Sequence, residues 1–381
     1  MAGTITWEQL RELAGFRADK GCAVSLYVSL DPSQTPTAGD VDTRIRSTLA
    51  RAERQLDERR SALAHEERTA LRADLERLAV WFETEFDRDG ARGVAVFAAG
   101  LDNLFTPLLL PWPVEDDARI AAQLYLAPLV RHAGRGDGAL VAYVGRERGD
   151  VYRLRGEELV PLADQTTEVP GRHDQGGWSQ ARYERHIETI VDRHLREVAD
   201  ALDRYVRRLR SVRVVLVGPE ETRSGFEELL SNEVRSRLLG WAPAEAHAEP
   251  PQLLAAAQPL LSAWRAGREA ELLERWREEA AKRGRAAAGW EETLEAASDG
   301  RVELLLVQDG FDQPAYRCPA CGRAQMTNGK CPLDGTTMER LEAGLDLVVH
   351  QTLTHGGLIE VIGEERHDLE PVGGLAALLR F

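Results

Sequence analysis

The chain has 381 residues, 43% of them hydrophobic, and a formal net charge of −15. That length exceeds one ordinary domain, so two or three are expected, and the acidic balance argues against non-specific nucleic-acid binding by the whole surface while leaving room for a local basic site. No apolar run is long enough to span a membrane, and the opening MAGTITWEQLRELAG lacks a basic segment followed by an apolar one, so a cytoplasmic protein without a signal peptide is expected.

A short helix is predicted near Trp7 to Leu13. CAVSLYVSL (Cys22 to Leu30) alternates like a strand and ends at Asp31-Pro32, with Cys22 packed as a small hydrophobe. From Val41 to about Phe86, apolar residues such as Ile45, Leu49, Leu56, Leu71 and Leu78 recur as on amphipathic helices. GVAVFAA (Gly93 to Ala99) reads as a buried strand, and LLLPWPVEDD (Leu108 to Asp117) as a breaker of regular structure. Ala139 to Val144 and Asp150 to Leu154 read as paired strands joined by a tight charged turn. A helix from Ser179 to about Leu209, a buried strand from Ser211 to Pro219 and a helix from Ser224 to Leu239 complete an α/β pattern. The last part is read as helical from Glu249-Pro250-Pro251 through Ala297, with a strand from Gly300 to Gly310. LDLVVHQTL and GGLIEVIG are two further strand candidates, before the closing PVGGLAALLRF, where Gly373-Gly374 serves close packing of a last helix or turn.

Three of the four cysteines cluster in YRCPACGRAQMTNGKCPLDGTT. Cys318 and Cys321 are separated by two residues and followed by a glycine, the spacing of a zinc knuckle. The second half reads Cys331-Pro-Leu-Asp334-Gly, with Asp334 where a fourth cysteine would stand. A carboxylate can ligate zinc, so a structural Cys3Asp site is the favoured reading; the alternative is a ribbon held by hydrogen bonds alone. No His-rich set nearby suggests an open catalytic position.

The segment QGGWSQARYERH (Gln175 to His186) places two glycines beside a tryptophan at the mouth of a helix. Arg172, His173, Arg182, Arg185, His186, Arg193 and His194 crowd this end, a candidate phosphate-contacting stripe. The bland alternative is a solvated helix face, because Glu184, Glu188, Asp192 and Glu197 interleave with them; it is favoured at the far end, where Arg204, Arg207, Arg208 and Arg210 suit the macrodipole. His132, His350 and His355 read as packed or surface histidines, and Trp290 as a core aromatic.

Three stretches carry a resemblance. Gly176-Gly177-Trp178-Ser179-Gln180-Ala181-Arg182-Tyr183 resembles the segment of the eukaryotic and archaeal class 1 release factors, and of their relative Pelota, in which a Gly-Gly-Gln loop precedes a helix beginning Ser-Ala-x-Arg-Phe. Trp290 to Leu294 before the strand Val302 to Val307, and Gly373 to Phe381, are similar to signatures of that family's last domain, whose archaeal members also carry a Cys-rich insertion. The match covers roughly 138–381; no Asn-Ile-Lys-Ser tetrapeptide is present, so stop-codon decoding is not implied. The bacterial relatives with peptidyl-tRNA hydrolase activity in ribosome quality control, and the hibernation factor Balon, are the nearer resemblance.

The resemblance implies a three-domain α/β protein: an N-terminal α/β domain (1–130), a middle domain with a ribonuclease H-like sheet (131–245), and a ribosomal-protein-like α/β sandwich (246–381) with a zinc-ribbon insertion at about 314–340. It implies a ribosomal A-site translation factor acting on peptidyl-tRNA, with rRNA as partner and a translational GTPase as a candidate for delivering it. Trp178 stands where the family has glutamine, but Gly177-x-x-Gln180 matches the Gly-x-x-Gln form of the quality-control hydrolases. Gln180, with Gly176 and Gly177, is therefore the candidate catalytic set, and Gln175 the second choice. Trp178, Arg172, Arg182, Arg185 and His186 are candidates for RNA contact. A non-catalytic rescue or hibernation factor is the alternative function. A metal-dependent nuclease is a weaker third, because the strands Ala139 to Val144 and Val212 to Val217 hold no carboxylate.

Overall fold

The computed structural model describes residues 5–61, 63–131, 138–155, 158–166, 178–209, 212–363 and 366–381; the side chains at 163–166 and 178–187 lie outside what is described. The chain divides into two compact units, Met1–Ala133 with Glu271–Phe381, and Gly134–Ala270.

The first unit opens with α1 (Trp7–Gly15), started by a capping box in which Thr6 and Gln9 satisfy each other's amides. β1 (Ala23–Ser29) is followed by α2 (Ala38–Glu58) and α3 (His65–Thr84), then β2 (Gly93–Ala99), β3 (Leu104–Leu110), β4 (Asp117–Ala121) and the short α4 (Ala127–Val130). The four strands form an antiparallel sheet in the order β3-β2-β1-β4. LLLPWPVEDD is therefore not wholly irregular: its first residues end β3. Pro107 is tolerated because β3 lies on the sheet edge, where a missing N–H costs no ladder bond. The other edge is closed by α2. Arg51, Gln55 and Arg59 donate to the carbonyls of Asp116, Ala118 and Ile120. Four helical residues rise about 6 Å and two strand residues about 6.8 Å, so the two spacings run nearly in step. Val24, Leu26, Val94 and Val96 face α2 and α3, whereas Ala23, Tyr27, Ala95 and Phe97 face a second core.

The second unit holds β5 (Ala139–Val144), β6 (Arg148–Arg155), β7 (Glu158–Thr166), α5 (Trp178–Arg208), β8 (Arg213–Gly218), α6 (Glu220–Leu229), α7 (Asn232–Arg237), β9 (Leu238–Pro243) and the start of α8 (Pro250–Ala281). Its sheet runs β7-β6-β5-β8-β9, with β6 antiparallel to its neighbours and β5, β8 and β9 parallel, as expected of a ribonuclease H-like sheet. Leu195, Val198, Ala199, Leu202 and Val206 bury one face of α5 against it at helical spacing. Leu253, Ala257 and Leu261 of α8 cover the opposite face. The helix expected over Ser224 to Leu239 is instead two helices and a strand. Leu230 leaves the helical region, and Ser231 caps the next helix by accepting from the amide of Val234.

Back in the first unit come the end of α8, β10 (Ala286–Ala288), α9 (Gly289–Ser298), β11 (Val302–Gln308), the small strands β12 (Ala315–Arg317), β13 (Ala324–Gln325) and β14 (Glu339–Leu341), α10 (Gly344–Thr354), β15 (Leu358–Ile362) and β16 (Leu375–Leu379). The main sheet is β10-β16-β11-β15. Leu305, Val307, Leu375 and Ala377 face α9 and α10. Leu304, Leu306, Ala376 and Leu378 face Leu273 and Trp276 of α8, so the sheet is sandwiched between helices.

Two expectations for this region are corrected. LDLVVHQTL is helix α10, not a strand. Leu345, Leu347, Val348, Val349, His350 and Leu353 are all buried, because the helix packs into the second core shared with the N-terminal sheet. A helix apolar on nearly every side shows no 3.6-residue pattern. The chain's close is a strand: Gly373 and Gly374 take φ of 72° and 78°, and turn the chain into β16. A Cβ on Gly374 would lie 2.2 Å from Cγ of Phe311, so close packing there does need glycine. Trp290 is a core aromatic as read, its Nε1 donating to the Gly373 carbonyl at 2.8 Å. Among the described residues no helix is long and apolar enough to cross a membrane.

Candidate functional site

The four metal-ligating candidates converge. One ligand atom each of Cys318, Cys321, Cys331 and Asp334 lies within 4.8 Å of the others. Two turns of the same design bring them there. In the first, Gly322 N donates to Cys318 O at 2.9 Å and Cys318 N to Arg323 O at 2.8 Å. In the second, Gly335 N donates to Cys331 O at 2.9 Å and Cys331 N to Thr336 O at 2.8 Å. Gly322 and Gly335 both adopt positive φ, 81° and 74°. Asp334 therefore occupies in the second turn the place of Cys321 in the first. Antiparallel β12, β13 and β14 hold the two turns together.

The separations fit a tetrahedral ion. Cys321 Sγ lies 3.5 Å from Cys331 Sγ, and Cys318 Sγ lies 3.3 and 3.6 Å from the Asp334 oxygens. Zinc with bonds of about 2.3 Å to sulfur and about 2.1 Å to oxygen has S···S and S···O edges of about 3.8 and 3.6 Å. The amide and hydroxyl of Thr336 hold the Asp334 carboxyl well below the usual carboxylate range, so it stands ready as an anionic ligand. Three thiols and a carboxylate fill four corners and leave no open position, which is the donor set of a structural ion.

The first turn is tied to its surroundings. Arg17 donates to the Pro319 carbonyl at 3.3 Å, Gln351 Nε2 to the Gly322 carbonyl at 2.7 Å, and Ala324 N to Ser298 Oγ at 2.9 Å. Arg323 pairs with Asp299 at 2.7 Å, and the buried Arg317 donates to Gln123. Among the described residues, the hydrogen bonds of 331–335 stay within the insertion. These anchors were missed in the sequence, where lone Arg and Gln residues carry no periodic signal. His350 is packed, as one of the two readings had it: Nδ1 lies 3.2 Å from Ala14 O and Nε2 2.6 Å from Leu124 O, joining α10 to the N-terminal part. His355 is exposed, and His132 lies outside the described residues.

At the other candidate site, Trp178 is the first residue of α5 and Gln180 the third. Arg182, Arg185 and His186 follow in its first turns, with their side chains, like those of Trp178 and Gln180, outside what is described. Arg172, His173, Gln175, Gly176 and Gly177 lie outside the described residues. Further along α5, Arg193 pairs with Glu197, Arg196 with Asp192 and Arg207 with Asp203 at i,i+4 spacing. These arginines form a solvated, internally paired face, whereas His194, read with the stripe, is buried and so is no phosphate contact. The strands β5 and β8 hold no carboxylate; Asp150 on β6 is buried and pairs with Arg148 at 2.5 Å and with the hydroxyl of Tyr152.

Residues 125–260 match bacterial archaeo-eukaryotic release factor family 10, and residues 266–381 match eRF1 domain 3. Peptide chain release factor subunit 1 of Archaeoglobus fulgidus is 29% identical over 261 residues, covering 62% of this chain and 63% of that protein. The same subunit of Thermoplasma acidophilum is 26% identical over 264 residues, 62% of each chain. That of Methanopyrus kandleri is 28% identical over 211 residues, 54% of this chain and 51% of that one. The chain thus spans 51–63% of the length of these relatives. The solved structure of Archaeoglobus fulgidus Pelota aligns with 100% of this chain and 94% of its own, at 16% identity and a TM-score of 0.34. The chain is homologous to the archaeal peptide chain release factors over 62% of its length, with its middle region matching the bacterial family 10 and its last region the release-factor domain 3.

Proposed function

We propose that this chain is a translation factor of the release-factor type, which enters the ribosomal A site in rescue or quality control and hydrolyses the peptidyl-tRNA ester. The observation that carries the reading is one chain joining two release-factor-homologous regions to Gly176-Gly177-Trp178-Ser179-Gln180, a segment that runs directly into a 31-residue helix. Paired glycines let a backbone approach RNA closely. As third residue of α5, Gln180 belongs to the first turn, whose amides lack intrahelical acceptors and whose dipole favours negative charge. Its N–H is suited to meet the oxyanion that develops as water attacks the ester, while its side-chain amide confines that water. Arg172, Arg182, Arg185 and His186 supply phosphate contacts around the loop. Cys318, Cys321, Cys331 and Asp334 hold one zinc ion, whose contribution is structural. The partners are rRNA, peptidyl-tRNA and a translational GTPase that delivers the factor, and the place of action is the cytoplasm.

A second reading is favoured by Trp178, which stands where the resembling family has its glutamine. A tryptophan there stacks on a base and docks the factor without hydrolysis, as in hibernation, each such stack being worth roughly 1–3 kcal/mol. One experiment separates the two. Gln180→Ala should reduce nascent-chain release from ribosomal peptidyl-tRNA by about a hundredfold or more, with co-sedimentation unchanged. Trp178→Ala should weaken co-sedimentation itself. Ribosome binding without any release by the unaltered protein, with each GTPase supplied, would leave only the docking reading; absence of binding would remove both.

A further inference from the structure

We propose that Cys321 and Cys331 form a peroxide-sensitive pair that exchanges the bound metal for a disulfide. The inference rests on the zinc reading above and adds a modification site to it. Four observations carry it. Cys321 is exposed, whereas Cys318 and Cys331 are buried, so an oxidant in solvent meets Cys321 first. Its sulfur already lies 3.5 Å from that of Cys331, and a disulfide needs the two to close to about 2.05 Å. The third sulfur has further partners of its own: Cys318 Sγ faces Asp334 at 3.3 Å and accepts from the Cys321 amide at 3.5 Å. Finally, the turn carrying Cys331 makes its hydrogen bonds within the insertion, among the described residues, so it can shift towards the anchored turn without breaking a bond to the main sheet.

Asp334 makes the exchange complete. A four-thiolate site that forms one disulfide still offers two thiolates to the metal. Here it leaves one thiolate, Cys318, and one carboxylate, a donor set too poor to keep a soft-ligand ion. The chemistry balances with hydrogen peroxide as the oxidant. The Cys321 thiolate attacks one peroxide oxygen, the O–O bond breaks, and hydroxide leaves with the electron pair, giving the sulfenic acid. The Cys331 thiolate then attacks that sulfur, the S–O bond breaks, and a second hydroxide leaves. Two thiolates have lost two electrons, peroxide has gained them, and zinc passes to solvent.

The test uses the full chain, with hydrogen peroxide as probe and two readouts: zinc captured by a chromogenic chelator, and disulfide position by non-reducing peptide mapping. Release of one zinc per chain in step with a Cys321–Cys331 linkage, reversed by reductant plus zinc, is the expected result. Cys331→Ser should form no such linkage, and Asp334→Cys should slow zinc release several-fold while folding normally. Zinc-loaded protein that resists peroxide, or that releases zinc through another pairing or through overoxidation, overturns the proposal and leaves the zinc site standing. Protein purified without zinc that still forms the Cys321–Cys331 bond overturns the exchange and the zinc reading together.

Discussion

The two turns of the cysteine insertion are alike in their backbone and unlike in their surroundings. Both place a ligand-x-x-ligand-Gly sequence on the same pair of hydrogen bonds, with glycine at positive φ. The first is held by Arg17, Gln351, Ser298 and Asp299, from three separate stretches of chain. The second makes its bonds inside the insertion. The difference teaches that a knuckle's shape is set locally, whereas its stability without metal depends on what lies behind it. Metal is then expected to matter least for the order of the first turn and most for that of the second.

The largest break in that comparison comes from removing a ligand. Cys318→Ser should abolish stoichiometric zinc and unfold the second turn while the anchored first turn keeps most of its order, since metal binding and local folding of such small sites are linked. Metal analysis and amide exchange over 314–341 check this; full retention of zinc would remove Cys318 from the site. The next effect is at Asp334. Asp334→Ala should lower zinc affinity by more than the roughly 10–100-fold that loss of a supporting contact costs, and Asp334→Cys should raise affinity. Chelator competition measures both. A neutral Asp334→Ala would mean that the cluster binds through its three thiols alone. Smaller again is Gln351→Leu, which leaves the Gly322 carbonyl without its 2.7 Å partner. A cost of about 0.5–1.5 kcal/mol is expected, read as faster exchange in the first turn and unchanged exchange in the second.

How legible these features were in the sequence follows from the range of the forces behind them. The cluster was readable because four ligands and two glycines lie within 18 residues, Cys318 to Gly335, and fix their own turns. Strands such as β2 and β5 were readable because both faces are buried, giving unbroken apolar runs. The same burial hid α10: its run of Leu and Val is helical because it is enclosed by the N-terminal sheet and its own, which no local pattern reports. β3 was hidden because its last residues, Leu108 to Leu110, run into Pro111 and Pro113 and were read with them as a breaker. The shared core of the chain's first and last parts, with His350 between Ala14 and Leu124, depends on contacts over 200 residues apart. The segment before α5 was legible only through resemblance, since its proposed chemistry needs a substrate that the ribosome brings.

The smallest expected effect tests the weaker side of the comparison. Leu333, in the second turn, is 68% exposed, unlike the buried leucines of the core. A leucine there removes little apolar surface from water, so Leu333→Ser should change stability by no more than about 0.5 kcal/mol, the range of ordinary surface substitutions. Zinc affinity should not move, because the backbone bonds of the turn and the Asp334 carboxylate are untouched by the side chain. The measurement is amide exchange of 331–336 in the zinc-loaded protein, beside chelator competition. A loss of protection equal to that from Gln351→Leu in the first turn would show that the second turn, too, is anchored through its side chains, and the contrast between the two knuckles would collapse to a difference in sequence alone.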